Sequence, residues 1–351
     1  MSKVLMKGNE AFAEACIRAG CRFFSGYPIT PQTEVLEYLS WRMEEVGGQF
    51  IQTESELAGI NMVFGAASAG ARALTTSSGP GFSLKQEGIS YLCGSDLPAV
   101  IADVMRMGNA LGDIFQGQGD YWQLTRGGGH GDYRTIVLAP ASVHENANLG
   151  YAAFDLAERY RHPVIIASDA AIGQMVEAVE LPEMKTHDID YADWVAKPRG
   201  VNDKKVIIRN TYYDMGEDKY VEYLRAKYAE ITENEQRWES VCTDDAEIVL
   251  VAYGISSRIC KAAVKRARND GMKLGLIRPI TLWPFPQKAF DALGEQVRGF
   301  IGVEMNILGQ MRDDIVLACG NSRPVESYCE FSKVPSEDTI IRHAAEMLKK
   351  Y

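Results

Sequence analysis

The sequence has no long hydrophobic run, no paired cysteine motif and no surplus of positive charge, and each absence closes off a class of function. The longest uncharged stretch of its first half, Leu57 to Ala71, contains Asn61 and is dominated by small residues. A bilayer span needs about 20 mainly apolar residues. The opening Met-Ser-Lys runs straight into an amphipathic pattern, without the apolar core of a signal peptide. The 7 cysteines are an odd number without a CxxC pair. Cys16 and Cys21 are near neighbours, but Cys93, Cys242, Cys260, Cys319 and Cys329 make no ligand set with them. Neither a disulfide framework nor an iron–sulfur cluster is encoded. Lysine and arginine total 37 against 47 aspartates and glutamates, a formal net charge of -10. No basic stripe for a phosphate backbone appears, which argues against nucleic acid as the main partner. A soluble, cytoplasmic chain is expected.

Common chemical signatures are missing as well. There is no G-x-x-x-x-G-K-[ST] phosphate loop, and no G-x-G-x-x-G follows the first strand. His144-Glu145 lacks the second histidine of a zinc protease motif, because position 148 is Asn148. No G-x-S-x-G elbow occurs. What remains is an ordinary globular composition, 46% hydrophobic and 24% charged over 351 residues, enough for two domains or three.

Residues 1–180 alternate short apolar strands with helical patterns, which predicts a doubly wound parallel sheet covered on both faces. Residues 181–243 are dense in charge and tyrosine and read as a connecting arm, with a charged helix near Asp218 to Arg237. Alternation resumes over 244–351, a second and smaller α/β domain. In such sheets functional groups collect beyond the carboxyl ends of the strands, and four strand ends carry candidates. After the first, Thr30 precedes Pro31 and suits a helix N-cap, or a ligand contact. After the second, Glu56 opens a helix of small residues; an acidic first turn favours the helix dipole, and the small residues suit close approach of a ligand. After the third, Ser77 and Gly79 belong to a hydroxyl-rich glycine turn able to hold an anion through backbone amides. Arg106 ends the fourth, with no obvious ion partner. The glycine-rich loop Gly108 to Arg134 holds His130, an acid/base or substrate-contact candidate, or a surface residue; loops of that length are usually functional.

Taken together, GYPITP, TESELAGIN, TTSSGPGFSL, the Arg106 strand end, APASVHE, IRPITLWPFP and VEMNILGQM resemble the α subunit of the 2-oxoacid:ferredoxin oxidoreductases. The opening MKGNEA and the loop GGGHGDYR are most similar to the branched-chain type, which acts on 2-oxoisovalerate. The resemblance implies a thiamine-diphosphate-binding domain of the pyrimidine type and a transketolase C-terminal-like second domain. It makes Glu56 the partner of the cofactor's aminopyrimidine, Ser77 and Gly79 further cofactor contacts, and Thr30 and Arg106 the substrate-binding pair, with His130 nearby. An arginine fork suits a 2-oxoacid carboxylate, and a glutamate on the pyrimidine suits the proton transfer that activates the cofactor. The resemblance further implies oxidative decarboxylation to acyl-CoA and CO₂, with electrons leaving for ferredoxin.

The family's GDG…N motif for Mg²⁺ and diphosphate is absent. Its nearest counterpart, Gly119-Asp120 with Asn146 or Asn148, does not follow a predicted strand. The expected complex therefore has a β subunit holding the diphosphate and Mg²⁺, iron–sulfur and γ-type subunits, ferredoxin as acceptor and coenzyme A as co-substrate. Two other readings stay open. One is a 2-oxoglutarate enzyme, whose second carboxylate would call on Arg126, His130 or Arg134. The other is a non-catalytic scaffold, which would not need Thr30, Glu56 and Arg106 at one sheet edge.

Overall fold

The computed structural model describes residues 3–109, 111–186, 194–196 and 206–351. Its strands in chain order are β1 (Val4–Lys7), β2 (Phe23–Gly26), β3 (Gln49–Gln52), β4 (Ala73–Ser77), β5 (Ala99–Met105), β6 (Ile136–Leu138), β7 (Pro163–Asp169), β8 (Val176–Val179), β9 (Trp238–Val241), β10 (Ile248–Val251), β11 (Leu274–Pro279), β12 (Thr281–Trp283), β13 (Gly299–Glu304) and β14 (Val325–Cys329). The large sheet has 7 strands in the order β12-β6-β7-β5-β4-β2-β3. Apart from β12 its strands are parallel. β5 and β7 are buried along their whole length, as continuous apolar strands between two helical layers must be. The chain leaves β2 for β3 on one side and returns to β4 on the other. That reversal opens a crevice at the carboxyl ends of β2 and β4, where doubly wound sheets bind ligands.

The second unit is a 5-stranded sheet, β14-β13-β10-β11-β9. Expected boundaries at 180 and 243 meet two crossings that sequence periodicity does not reveal. β9, from the end of the arm, adds antiparallel to β11 and completes the second sheet. β12, from the second half of the chain, adds antiparallel to β6 and completes the first. The motif IRPITLWPFP is the stretch that changes sheets. Arg278 within it makes a two-pronged ion pair with Glu145 at 2.7 and 2.8 Å. Ser142 caps the helix Val143–Tyr160 through the Glu145 N–H, and Glu145 in return accepts from Ala141 N–H. APASVHE thus caps its helix and also anchors the second domain.

The arm's charged helix is Glu217–Asn234, close to expectation. It is docked: buried Lys227 pairs with buried Asp96 at 2.6 Å, and Ile231 joins the core of the first unit. Residues 187–193 and 197–205 of the arm lie outside the described residues. Among the described residues no helix is long and apolar enough to cross a membrane, and all 7 cysteines are free.

Candidate active site at the carboxyl edge of the large sheet

Glu56 is the first residue of the helix Glu56–Ser68, whose N-cap Ser55 accepts from Ala58 N–H. With the cap supplied by Ser55, Glu56 is not needed to satisfy the helix end. It is buried, yet its carboxylate accepts no hydrogen bond from the described residues. Opposite it, the turn after β4 runs through Ser77, Ser78 and Gly79 into the helix Pro80–Gly94. Gly79 caps that helix at φ 49°, a left-handed conformation that favours glycine. Pro80 follows at the first helical position. At Gly81 a side chain would overlap both Glu56 Oε1 and Ser77 Oγ, so the two groups meet across a space kept clear by a missing Cβ. The hydroxyls of Ser77 and Ser78 are buried without a partner among the described residues.

Arg106, just beyond β5, is 4% exposed and makes no ion pair with a described residue. Its Nη1 donates to the Thr30 carbonyl at 2.8 Å, and its Nε has no partner among the described residues. A Cβ at Gly79 would stand 3.2 Å from that Nε. Thr30 itself is exposed. It is not the helix N-cap: the Thr30–Pro31 peptide is cis, Gln32 holds the cap position and the helix begins at Thr33. The capping role expected for Thr30 is therefore taken by its neighbour, and its carbonyl instead fixes the guanidinium. Buried, unpaired cationic and hydroxyl groups are costly in a folded protein unless something else binds them.

Five of the six candidates come together, Glu56 and Ser77 through Gly81, and Gly79, Arg106 and Thr30 through the guanidinium. His130 is elsewhere. It lies 3.4 Å from Ser90 Oγ and edge-on to Tyr91. Those residues are about 15 Å along the helix from its first turn, at about 1.5 Å per residue. The long loop folds back over the flank of that helix, so sequence order placed His130 near a site that its chain path avoids.

Two residues were missed. Lys85 is fully buried beneath Glu56, donating to Thr75 Oγ1 at 2.9 Å and to the Glu56 carbonyl at 3.4 Å. Burial pushes its ammonium down to about 8, against the opposing pull of Glu56. Its signal was there to read: Lys85 sits on the stripe Phe82, Ile89 and Leu92, the core-facing side of its helix. Asp103 is the lone charge within the otherwise apolar strand β5 and is fully buried.

The second domain reaches this edge through VEMNILGQM. Gln118 N–H donates to the Met305 carbonyl at 2.7 Å, and Met305 N–H donates to Gln118 Oε1. Gln310 Nε2 donates to the Gly119 carbonyl at 2.8 Å. Glu304, fully buried and pushed up to about 7 by burial, accepts from Met311 N–H and Asn306 Nδ2, which holds the motif in its turn. The loop that follows Arg106 is thereby pinned from both domains.

Residues 14–241 match the family model described as pyruvate flavodoxin/ferredoxin oxidoreductase, thiamine diphosphate-binding. The chain belongs to that family. Residues 246–334 match pyruvate:ferredoxin oxidoreductase core domain II. The ketoisovalerate oxidoreductase subunit VorB of Methanothermobacter marburgensis is 51% identical over 321 residues, covering 91% of each chain. The 2-oxoglutarate synthase subunit KorA of Methanocaldococcus jannaschii is 37% identical over 349 residues, covering 93% of this chain and 94% of its own. Among solved structures, 2-oxoglutarate:ferredoxin oxidoreductase from Magnetococcus marinus, with 2-oxoglutarate, coenzyme A and succinyl-CoA bound, superposes with a TM-score of 0.88 at 26% identity. That match covers 99% of this chain, which spans 65% of the other's length.

The residues of this site fit the ring end of thiamine diphosphate. A carboxylate without internal donors, two orphaned hydroxyls and a side-chain-free position between them form a polar cradle for a flat, hydrogen-bonding ring. Gly81→Ala is therefore expected to weaken thiamine diphosphate binding roughly ten- to a hundredfold, the scale of overpacking a tight site, without unfolding the helix, since alanine is the better helix former. Calorimetric titration of cofactor-stripped complex measures it.

Proposed function

We propose that this chain is the catalytic α subunit of a ferredoxin-linked oxidoreductase that oxidatively decarboxylates 2-oxoisovalerate and related branched-chain 2-oxoacids to acyl-CoA and CO₂. The observation that carries the substrate is the 51% identity to a ketoisovalerate oxidoreductase subunit, against 37% to a 2-oxoglutarate synthase subunit. The geometry supports it. A second substrate carboxylate would need a second unpaired cation, and of the loop's arginines Arg126 already has an ion pair, while Arg134, like Arg106, is held by a backbone carbonyl. Arg126 pairs with Asp314 at 2.9 Å, and Arg134 donates to the Thr125 carbonyl at 2.7 Å. The loop beyond Arg106 instead offers Ile114 and Phe115, with Phe115 held to Met107 through its carbonyl. Apolar side chains suit a branched alkyl group.

In this reading Glu56 hydrogen-bonds the aminopyrimidine and exchanges a proton with its ring nitrogen, while Ser77 and the Gly79 turn hold the ring in place. Thiamine diphosphate, once bound, supplies the electron sink for cleaving the bond between carboxylate and keto carbon. Arg106 receives the substrate carboxylate on its guanidinium edge, oriented by the Thr30 carbonyl. We assign the diphosphate and Mg²⁺ to a β subunit and the iron–sulfur clusters to others, because the sequence has neither a GDG…N motif nor cluster-spaced cysteines. Among the described residues no group of three or more histidine, cysteine, aspartate or glutamate side chains is placed to hold a metal ion. Coenzyme A and ferredoxin complete the reaction, in the cytoplasm. The test is CoA-dependent dye reduction by the purified native complex, with 2-oxoisovalerate, 2-oxoglutarate, pyruvate and indolepyruvate in parallel. The branched substrate is expected to give the highest kcat/KM; a preference for 2-oxoglutarate would overturn the assignment.

A further inference from the structure

Beneath Arg106 lies a second acidic feature that the proposed reaction does not use. Asp103 on β5 is fully buried, and Asp120, from the loop after Arg106, is 6% exposed. Their carboxyl groups are hydrogen-bond neighbours. Gln123 Nε2 donates to Asp120 Oδ1 at 2.5 Å. Both oxygens of Asp103 and Oδ2 of Asp120 lack a close, aligned donor. Two buried carboxylates side by side cannot both ionise, because desolvation and mutual repulsion each oppose the second charge. One proton between them pairs one oxygen of each acid, since a protonated carboxyl donates and a carboxylate accepts, and leaves the other Asp103 oxygen toward the Gly79 amide.

The surroundings set the charge of the pair. The Gly79 amide faces Asp103, the Arg106 amide faces Asp120, and the Arg106 guanidinium favours the ionised form of both. Ser77 lies opposite Asp103 in the sheet register. Tyr253 of the second domain is in electrostatic reach of both acids, and also of Asp169 and Glu304. One cation thus stands against a pair that keeps one negative charge and one proton. Burial pushes both acids up from the ordinary carboxylate range, and Asp103 further still because Asp120 stands beside it, whereas Gln123, the Arg106 amide and the hydrogen bond to Asp103 hold Asp120 lower.

We propose that Asp103 and Asp120 share a single proton and act as positioning residues for Arg106, holding its backbone and the Gly79 turn in place and setting the net charge beneath the guanidinium. This rests on the reading of Arg106 as the substrate-carboxylate site. The sign of the pH effect follows. When the shared proton leaves, a second negative charge appears beside the arginine, which weakens its grip on an anionic substrate. KM for the 2-oxoacid therefore rises on the alkaline side, and the clamp between loop and strand loosens with it. A protonated acid is mimicked by an amide, which donates to Asp120 and has no proton to lose.

The experiment uses the assembled complex. The infrared difference spectrum of wild type minus Asp103→Asn is expected to contain the C=O stretch of a protonated carboxyl at neutral pH, shifted in D₂O. Asp103→Ala is expected to raise KM for 2-oxoisovalerate about tenfold at pH 7, the loss of one buried hydrogen bond, with a smaller change in kcat. Asp103→Asn is expected to recover most of that loss and to flatten the alkaline rise in KM. Absence of the carboxyl band overturns the shared proton. Its presence with an unmoved KM and an unchanged pH profile in Asp103→Ala overturns the positioning role. If Arg106→Ala leaves KM unchanged while the band persists, the carboxylate-site reading fails and takes the positioning role with it, leaving the proton pair as a structural feature.

Discussion

Glu56→Gln is expected to leave a folded, assembled complex whose kcat falls by about two to four orders of magnitude, the span of general acid–base assistance. Two physical roles compete for this residue. As a first-turn anion it would contribute about 0.3–1 kcal/mol to the helix and nothing to turnover. As the partner of a ring nitrogen, Glu56 must give and take a proton at its carboxylate, and an amide can do neither. Glu54→Gln is the control. Glu54 is exposed and, among the described residues, its carboxylate accepts a hydrogen bond from Ser55 Oγ alone, at 3.4 Å, so near-wild-type kcat is expected. Steady-state turnover and thermal melting of both variants separate the roles. If Glu54→Gln lost activity and Glu56→Gln kept it, the register of the motif would be wrong. If both stayed active, the active-site assignment itself would fall.

Arg106→Ala is expected to raise KM for 2-oxoacids ten- to a hundredfold while cofactor occupancy stays nearly intact. A charge-assisted contact to a carboxylate contributes about 1.5–3 kcal/mol. Among the described residues the Arg106 side chain spends one donor, on the Thr30 carbonyl, and Nε is unpartnered at the Gly79 turn. Arg106→Lys should recover only part of the loss, because an ammonium cannot present the planar fork. Kinetics together with cofactor titration decide the matter. An unchanged KM would mean that the carboxylate is held elsewhere.

The doubly wound class and the alternation of the large sheet's parallel strands with helices were legible in the sequence, because continuous apolar strands between amphipathic helices leave little choice of architecture; the short strands β1, β8, β12 and β14 were not. Glu56, Ser77, Gly79, Arg106 and Thr30 were legible for the same reason: carboxyl ends of neighbouring parallel strands must lie side by side, whatever the packing around them. Helix starts were less so. Thr30-Pro31 has the composition of a cap, but Gln32 holds the cap position, the helix starts at Thr33, and the Thr30 carbonyl meets Arg106, a contact between residues far apart in the chain.

What only the tertiary structure decided is how distant segments share space. Periodicity is local, so it cannot say that β12 crosses into the first sheet, that β9 closes the second, or that VEMNILGQM grips the loop at Gln118. Nor can it say that His130 folds away along a helix flank. The pairing of Asp103 with Asp120 is of the same kind. Each reads as an ordinary acid in sequence, and they become one proton-sharing unit only because burial brings two carboxyls together where two charges cannot persist.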